Sequence, residues 1–176
     1  MARIIAADSA HWPSKPIEDP IWGLIRIVIA QQISTRLACR SAENLKMLYP
    51  RLTIPSPDLQ LDYETIRKLG IPERRAQCCI DLVRRSQELR TRVENGETWE
   101  EALSGIKGIG PWTMAVFRIM VLRDQDELPL KDLGLRRAIN DFYGHADLEK
   151  LGDTWRPFRS VACWYLWRTL GNEQLG

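Results

Sequence analysis

The stretch Ile106-Lys107-Gly108-Ile109-Gly110-Pro111-Trp112-Thr113 constrains this chain more than any other, because it sets two glycines and a proline between two segments of helical periodicity. A Gly-x-Gly turn running into a helix bares several backbone N–H groups at the helix start, where the positive end of the macrodipole lies. That arrangement favours an anion such as a phosphate. Pro111 suits the first helical position, where a missing N–H costs nothing. The informative region continues from Leu103 to Arg137, and in it Asp132 follows a charged loop, 123–131, and precedes a further helical segment. Such an Asp reads either as a helix cap or as a carboxylate held for chemistry, and spacing alone leaves both open.

The rest of the chain has the same helical texture. Apolar residues recur at three-to-four spacing almost throughout, and alternation is absent, so the expected class is all-α. Residues 1–19 read as an irregular arm, with His11 a bystander. Asp19-Pro20 starts a helix that is apolar on nearly every side through Trp22, Leu24, Ile25, Val28 and Ile29, and such a helix is buried. Gln31-Gln32-Ile33-Ser34 interrupts it, as a solvent-facing turn or as polar side chains presented to a ligand, and Ser34 can cap a helix over 35–48. Short helices are expected at 57–61 and 62–69, and a long one from Glu73 to Leu89, whose arginines 74, 75, 84, 85 and 90 read as a solvated face. Thr98 and Glu101 have capping-box spacing. Helices are then expected over 112–122, 133–142 and 155–170, with a short one capped by Asp147.

Composition sets limits. A length of 176 residues suits one compact domain, of one lobe or two. Lysine and arginine number 25 against 23 acids, a net charge of +2, so any basic surface arises by segregation of charge. The cysteines at 39, 78, 79 and 163 lack zinc or iron–sulfur spacing and read as reduced thiols. The opening lacks the long apolar core of a signal peptide, and the most apolar run, from Ile21 to Ala30, is interrupted by Arg26 and too short to span a bilayer. The expectation is a soluble, cytoplasmic protein with no membrane contact.

Taken together, these residues resemble the helix-hairpin-helix DNA glycosylase superfamily, within it the 3-methyladenine DNA glycosylase II branch. The matching pieces are Asp19-Pro20, the 29–34 run, Leu69-Gly70-Ile71, the 106–113 hairpin, Asp132-Leu133-Gly134-Leu135-Arg136-Arg137 and Trp155-Arg156-Pro157-Phe158-Arg159, in family order over about 19–170. A Gly-x-Gly hairpin alone is weak evidence; the hairpin with Asp132 and the 155–159 motif is specific. The resemblance implies a two-lobed helical fold: one lobe from about 1–30 plus 123–176, and a helical barrel over about 31–122 carrying the hairpin at 106–110. Relatives in this branch often carry a further N-terminal β-rich domain, and the expectation here is a fold without one.

The same resemblance implies the site. Asp132 would be the catalytic carboxylate, and Trp112, Trp167, Val116 and Trp22 would line the base pocket, with Val116 small where relatives can place an aromatic. Gln31, Gln32 and Ile33 match the segment that fills the gap left by a flipped base, Gln32 being the expected wedge. Gly108, Ile109, Gly110 and Thr113 would grip phosphates, and the Ser104, Ile106 and Ile109 carbonyls could hold a monovalent cation; no other cofactor is implied. Relatives that also nick the backbone carry a lysine two residues after the second hairpin glycine. Trp112 stands there, and Lys107 and Lys131 do not match. The implied activity is a monofunctional, monomeric glycosylase acting on double-stranded DNA with alkylated purines. The alternatives are a uracil or hypoxanthine glycosylase of the same fold, and a non-catalytic DNA-binding module.

Overall fold

The computed structural model describes residues 1, 17, 19–31, 33, 35–50, 52 and 61–171. Among them are ten helices and no strand: α1 (Pro20–Ala30), α2 (Thr35–Leu48), α3 (Tyr63–Lys68), α4 (Glu73–Arg84), α5 (Ser86–Glu94), α6 (Trp99–Ala102), α7 (Pro111–Met120), α8 (Leu133–Tyr143), α9 (Leu148–Asp153) and α10 (Arg159–Thr169). The all-α expectation holds. The short helix expected at 57–61 falls almost wholly outside the described residues, as do His11 and the Ser34 cap. No helix among the described residues is long and apolar enough to cross a membrane.

The chain divides into two compact units, residues 18–114 and residues 1–17 with 115–176. This differs from the expected lobes in two respects. Helix α1 falls with the 18–114 unit and not with the chain ends, and the division lies inside α7, at 114/115, not at 122. The reason is packing: α1 buries Ile21, Leu24, Ile25, Ile27, Val28 and Ile29, and its neighbours are α2 and α4. Fully burying each such side chain contributes about 1.5–3 kcal/mol, so the helix goes where both partners are.

In the 18–114 unit, local rules set the helix ends. Asp19 caps α1 by accepting the Trp22 N–H at 2.8 Å, with Pro20 in the first turn, and its other carboxylate oxygen accepts from Arg90 on α5. The helix expected over 73–89 breaks at Arg85 and continues as α5 to Glu94. Its polar end stays helical because side chains there have partners: Arg90 meets Asp19, and Arg92 meets Glu97 and the Ala102 carbonyl. Those two arginines are structural, while Arg74 and Arg84 remain exposed.

In the other unit, α8 packs on α10, burying Leu135, Ala138 and Ile139. The final helix starts at Arg159, not near Trp155, because Pro157 lacks an N–H and disfavours helix in the residue before it. The Arg156–Pro157 peptide bond is cis. The charged loop 123–131 is tied at several points. Asp126 accepts from Arg156 at 2.7 Å and Arg159 at 2.8 Å, Arg118 bridges Asp124 and Glu127, and Ser160 accepts the Glu127 N–H. Gly152 lets Leu128 approach to where a Cβ would sit 2.5 Å from it. These contacts fix the loop that leads into Asp132.

Candidate active site

The hairpin is built from a four-residue helix with well-made ends. Thr98 and Glu101 form a reciprocal capping box at the start of α6. At its other end Arg92 donates to the Ala102 and Glu101 carbonyls, satisfying acceptors that the helix end leaves open. The turn then closes through Ile106 N–H to Leu103 carbonyl at 3.1 Å and Ile109 N–H to Ile106 carbonyl at 3.2 Å. Gly108 has φ +100°, and a Cβ there would lie 3.0 Å from the Cys78 sulfur. It is therefore glycine for two reasons, backbone angle and close approach to α4. Gly110 has no neighbour within 4 Å of a built Cβ, so open space adjoins the start of α7. Helix starts of this kind present N–H groups without intrahelical acceptors. The Ile106 carbonyl accepts one N–H and retains a second lone pair.

Gln31 and Thr113, expected to touch DNA, are engaged inside the protein. Gln31 ends α1, and its Nε2 donates to the Gly108 carbonyl at 2.9 Å and the Thr113 hydroxyl oxygen at 2.9 Å. Thr113 is only 2% exposed, so its side chain is not presented to a ligand. Ile33 is half-buried; Gln32, the expected wedge, lies outside the described residues. Two arginines that read as a solvated face lie near this point. Arg74 and Arg75 line a cavity of about 530 Å³ with Val28, Gln31, Cys78 and Gly108, and Arg75 donates to the Ile29 carbonyl at 3.2 Å. Their signal in the sequence was the Arg-Arg pair just after the Ile71-Pro72 connection.

Asp132 caps α8 in extended conformation, accepting the Leu135 N–H on Oδ1. The same oxygen accepts Trp167 Nε1–H at 3.0 Å. A cap needs one donor; two donors on one oxygen fix the carboxylate plane. The side chain is 6% exposed, and its own N–H donates to the Pro129 carbonyl at 2.9 Å. One turn from Trp167, the buried Cys163 thiol is pushed well above its ordinary range, by burial first and then by the Asp132 carboxylate.

The expected pocket residues fall in both units. Trp167 is 4% exposed and serves Asp132 as a donor, a role its sequence position did not reveal. Val116 is buried at 1% exposure on α7, and Trp112 is half-buried at the second position of the same helix. Trp22 is half-buried, and Lys46 Nζ lies over its ring, 5.5 Å from the centroid. Lys107 and Lys131 are exposed. Trp164 and Tyr165 are buried, as core aromatics should be, and Trp155 packs its ring 6.1 Å from Tyr143.

This chain is similar to DNA-3-methyladenine glycosylase 1 of Schizosaccharomyces pombe, with 28% identity over 184 residues that cover 95% of the chain and 80% of that protein. It is also similar to the probable bifunctional transcriptional activator/DNA repair enzyme AlkA of Mycobacterium tuberculosis, 34% identical over 161 residues. That match takes in 83% of the chain but 32% of the longer protein. Among solved structures, the S. pombe 3-methyladenine DNA glycosylase in complex with abasic DNA has a TM-score of 0.80 at 25% identity, covering 97% of this chain and 90% of that one. No family model matches the chain. A glycine hairpin opening α7, a buried Asp capping α8 and likeness in sequence and fold over nearly the whole length have one common explanation: the chain belongs to the 3-methyladenine glycosylase family of the helix-hairpin-helix DNA glycosylases.

Proposed function

We infer that this protein is a monofunctional DNA glycosylase of base excision repair that removes alkylated purines of the 3-methyladenine and 7-methylguanine type, leaving an abasic site. The observation that carries the reading is Asp132, a buried helix-capping carboxylate whose Oδ1 takes a second N–H donor, from Trp167. Two donors on one oxygen hold the carboxylate in place, as a group that must face a reacting sugar requires.

The chemistry follows from what the bond requires. The target nucleotide leaves the stack at a cost of about a few kcal/mol, least for a damaged base. As the N-glycosidic bond breaks, its electron pair departs with the base. An alkylated purine carrying formal positive charge leaves as a neutral molecule, and cationic character develops on the deoxyribose. The Asp132 carboxylate stabilises that cation and orients the attacking water, accepting its proton. Trp112 has no amine to attack the sugar, so no covalent enzyme–DNA intermediate forms and no strand is nicked. Trp112 and Trp22 in one unit, and Trp167 and Val116 in the other, would each offer surface to a base, and an electron-poor purine stacks favourably on indole. The hairpin backbone at Gly108, Ile109 and Gly110 holds phosphates without reading sequence. A monovalent cation on the Ser104, Ile106 and Ile109 carbonyls would add positive charge beside them. The protein would act in the cytoplasm, as a monomer on double-stranded DNA.

The test is cleavage by hot alkali after incubation with duplexes carrying a single 7-methylguanine, uracil or hypoxanthine. Cleavage of the first alone supports the reading, and cleavage of none leaves a DNA-binding module. A borohydride-trapped adduct would contradict the monofunctional assignment.

A further inference from the structure

We propose that Gln31 is a positioning residue: it clamps the end of α1 to the hairpin and so sets where the following segment, which fills the gap left by the flipped base, stands relative to the phosphate grip. The proposal rests on the glycosylase reading and assigns Gln31 a role other than DNA contact. The chemistry of the amide decides this. The Gly108 carbonyl can only accept, so the Gln31 NH₂ must face it, and the second N–H of that NH₂ reaches the Thr113 hydroxyl. Both donors of the side chain are thereby used. What remains is an acceptor oxygen, which cannot bind phosphate.

The clamp has the connections the role requires. Gln31 closes α1, its backbone N–H donating to the Val28 carbonyl at 3.3 Å. Two residues back, the Ile29 carbonyl accepts from Arg75 on α4, and from α4 Cys78 also backs Gly108. The last turn of α1, the Gly108 turn and the buried start of α7 at Thr113 are thus joined through α4 and through one amide. Gln31 is thereby a point of α1 fixed on the hairpin itself. Insertion of the following segment and seating of the hairpin on phosphates therefore occur at one separation, and loosening the clamp penalises the flipped state more than plain duplex binding.

The experiment compares Gln31→Met, which keeps length without hydrogen bonds, with Thr113→Val, Thr113→Ser and the Gln31→Met/Thr113→Val double variant. Each is assayed for single-turnover release of 7-methylguanine and for affinity and salt dependence on undamaged duplex, with thermal melting as a control. Gln31→Met should slow release about tenfold or more, from two neutral hydrogen bonds, with duplex affinity within about twofold and an unchanged salt slope. Thr113→Val should give part of the loss and Thr113→Ser restore it. The double variant should be no slower than Gln31→Met, as for residues acting through one contact. Wild-type release by Gln31→Met, duplex affinity that falls in step with release, or multiplying losses in the double variant would overturn the proposal. The Thr113 pair tests the same bond should Gln31→Met fail to fold. Absence of release by the unaltered protein would sink the glycosylase reading itself, a result distinct from full release by the variants.

Discussion

Replacing Asp132 by Asn separates the cap from the catalytic duty we propose for this residue, because it removes the charge and leaves the cap. Asn is as good an N-cap as Asp, and its side-chain oxygen can accept both the Leu135 and the Trp167 N–H. What is lost structurally is the charge assistance of those bonds, about 1 kcal/mol of stability. What is lost catalytically is larger. A carboxylate about 4 Å from a developing unit positive charge, at an effective dielectric of about 20, contributes about 4 kcal/mol. At about 1.4 kcal/mol per factor of ten that is roughly a thousandfold in rate. Loss of the water-orienting acceptor acts through the same oxygens and overlaps with this figure. Single-turnover release of 7-methylguanine from a duplex, followed by hot alkali and gel separation, measures the rate, and thermal unfolding of the same preparations measures the cap. Asp132→Ala is the control: it gives the same catalytic loss and about 1 kcal/mol further destabilisation, because the cap goes too. An Asn variant that releases base within threefold of the natural protein would refute the assignment, since no charge of that size could then be acting at the sugar.

Trp167→Phe keeps an aromatic ring and removes the donor 3.0 Å from Asp132 Oδ1. A hydrogen bond to a charged group is worth about 1.5–3 kcal/mol, so release should slow tenfold or more, and an unchanged rate would show that the ring only packs. Gly108→Ala meets both a φ of +100° and the Cys78 sulfur at 3.0 Å; it should destabilise by about 1–3 kcal/mol, with Cys78→Ala relieving the contact but not the backbone strain, as chemical denaturation can resolve. Burial opposes ionisation of Asp126, but Arg159 and Arg156 outweigh it and hold its carboxyl below the ordinary range. Its stabilising contribution is therefore present above the unfolded value of about 3.9 and is lost as pH falls through the lower folded value. Asp126→Asn should flatten that acid limb in unfolding curves taken between neutral pH and about pH 3. Burial, with Asp81 second, pushes the Cys78 thiol up to about 12, and Cys79 and Cys163 are raised further. A thiol reagent at about pH 8 should label the half-buried Cys39 first, and all four only on unfolding.

What the sequence conveyed best was local. Capping at Asp19, Thr98 and Asp147, the glycine turn at Gly108 and the proline opening α7 all depend on neighbours within a few residues, and each appears where the pattern placed it. Helix breaks were less readable. Nothing in the 73–94 run marks Arg85 as a break, since the backbone bonds from Arg85 to Asp81 and from Leu89 to Arg85 nearly carry the helix through it. Lobe boundaries were harder still, because α1 is apolar on all sides and periodicity cannot say which neighbours it will bury itself against.

The partners of the expected site residues were not legible in the sequence, and the reason is separation along the chain. Trp167 reads as one aromatic among several on α10; only its 35-residue reach to Asp132 makes it the second donor to that carboxylate. Gln31 reads as a polar interruption after an apolar helix, which suggests display to a ligand. Its partners lie 77 and 82 residues away, at Gly108 and Thr113, and no spacing rule joins a helix end to a turn across that distance. A half-buried amide can give its donors to DNA or to protein, and sequence alone does not say which. The two cases differ in a way function depends on. A glutamine that contacts DNA contributes affinity, while one that spends both donors on the hairpin contributes geometry, and geometry is what a base-flipping enzyme must hold while its target leaves the stack.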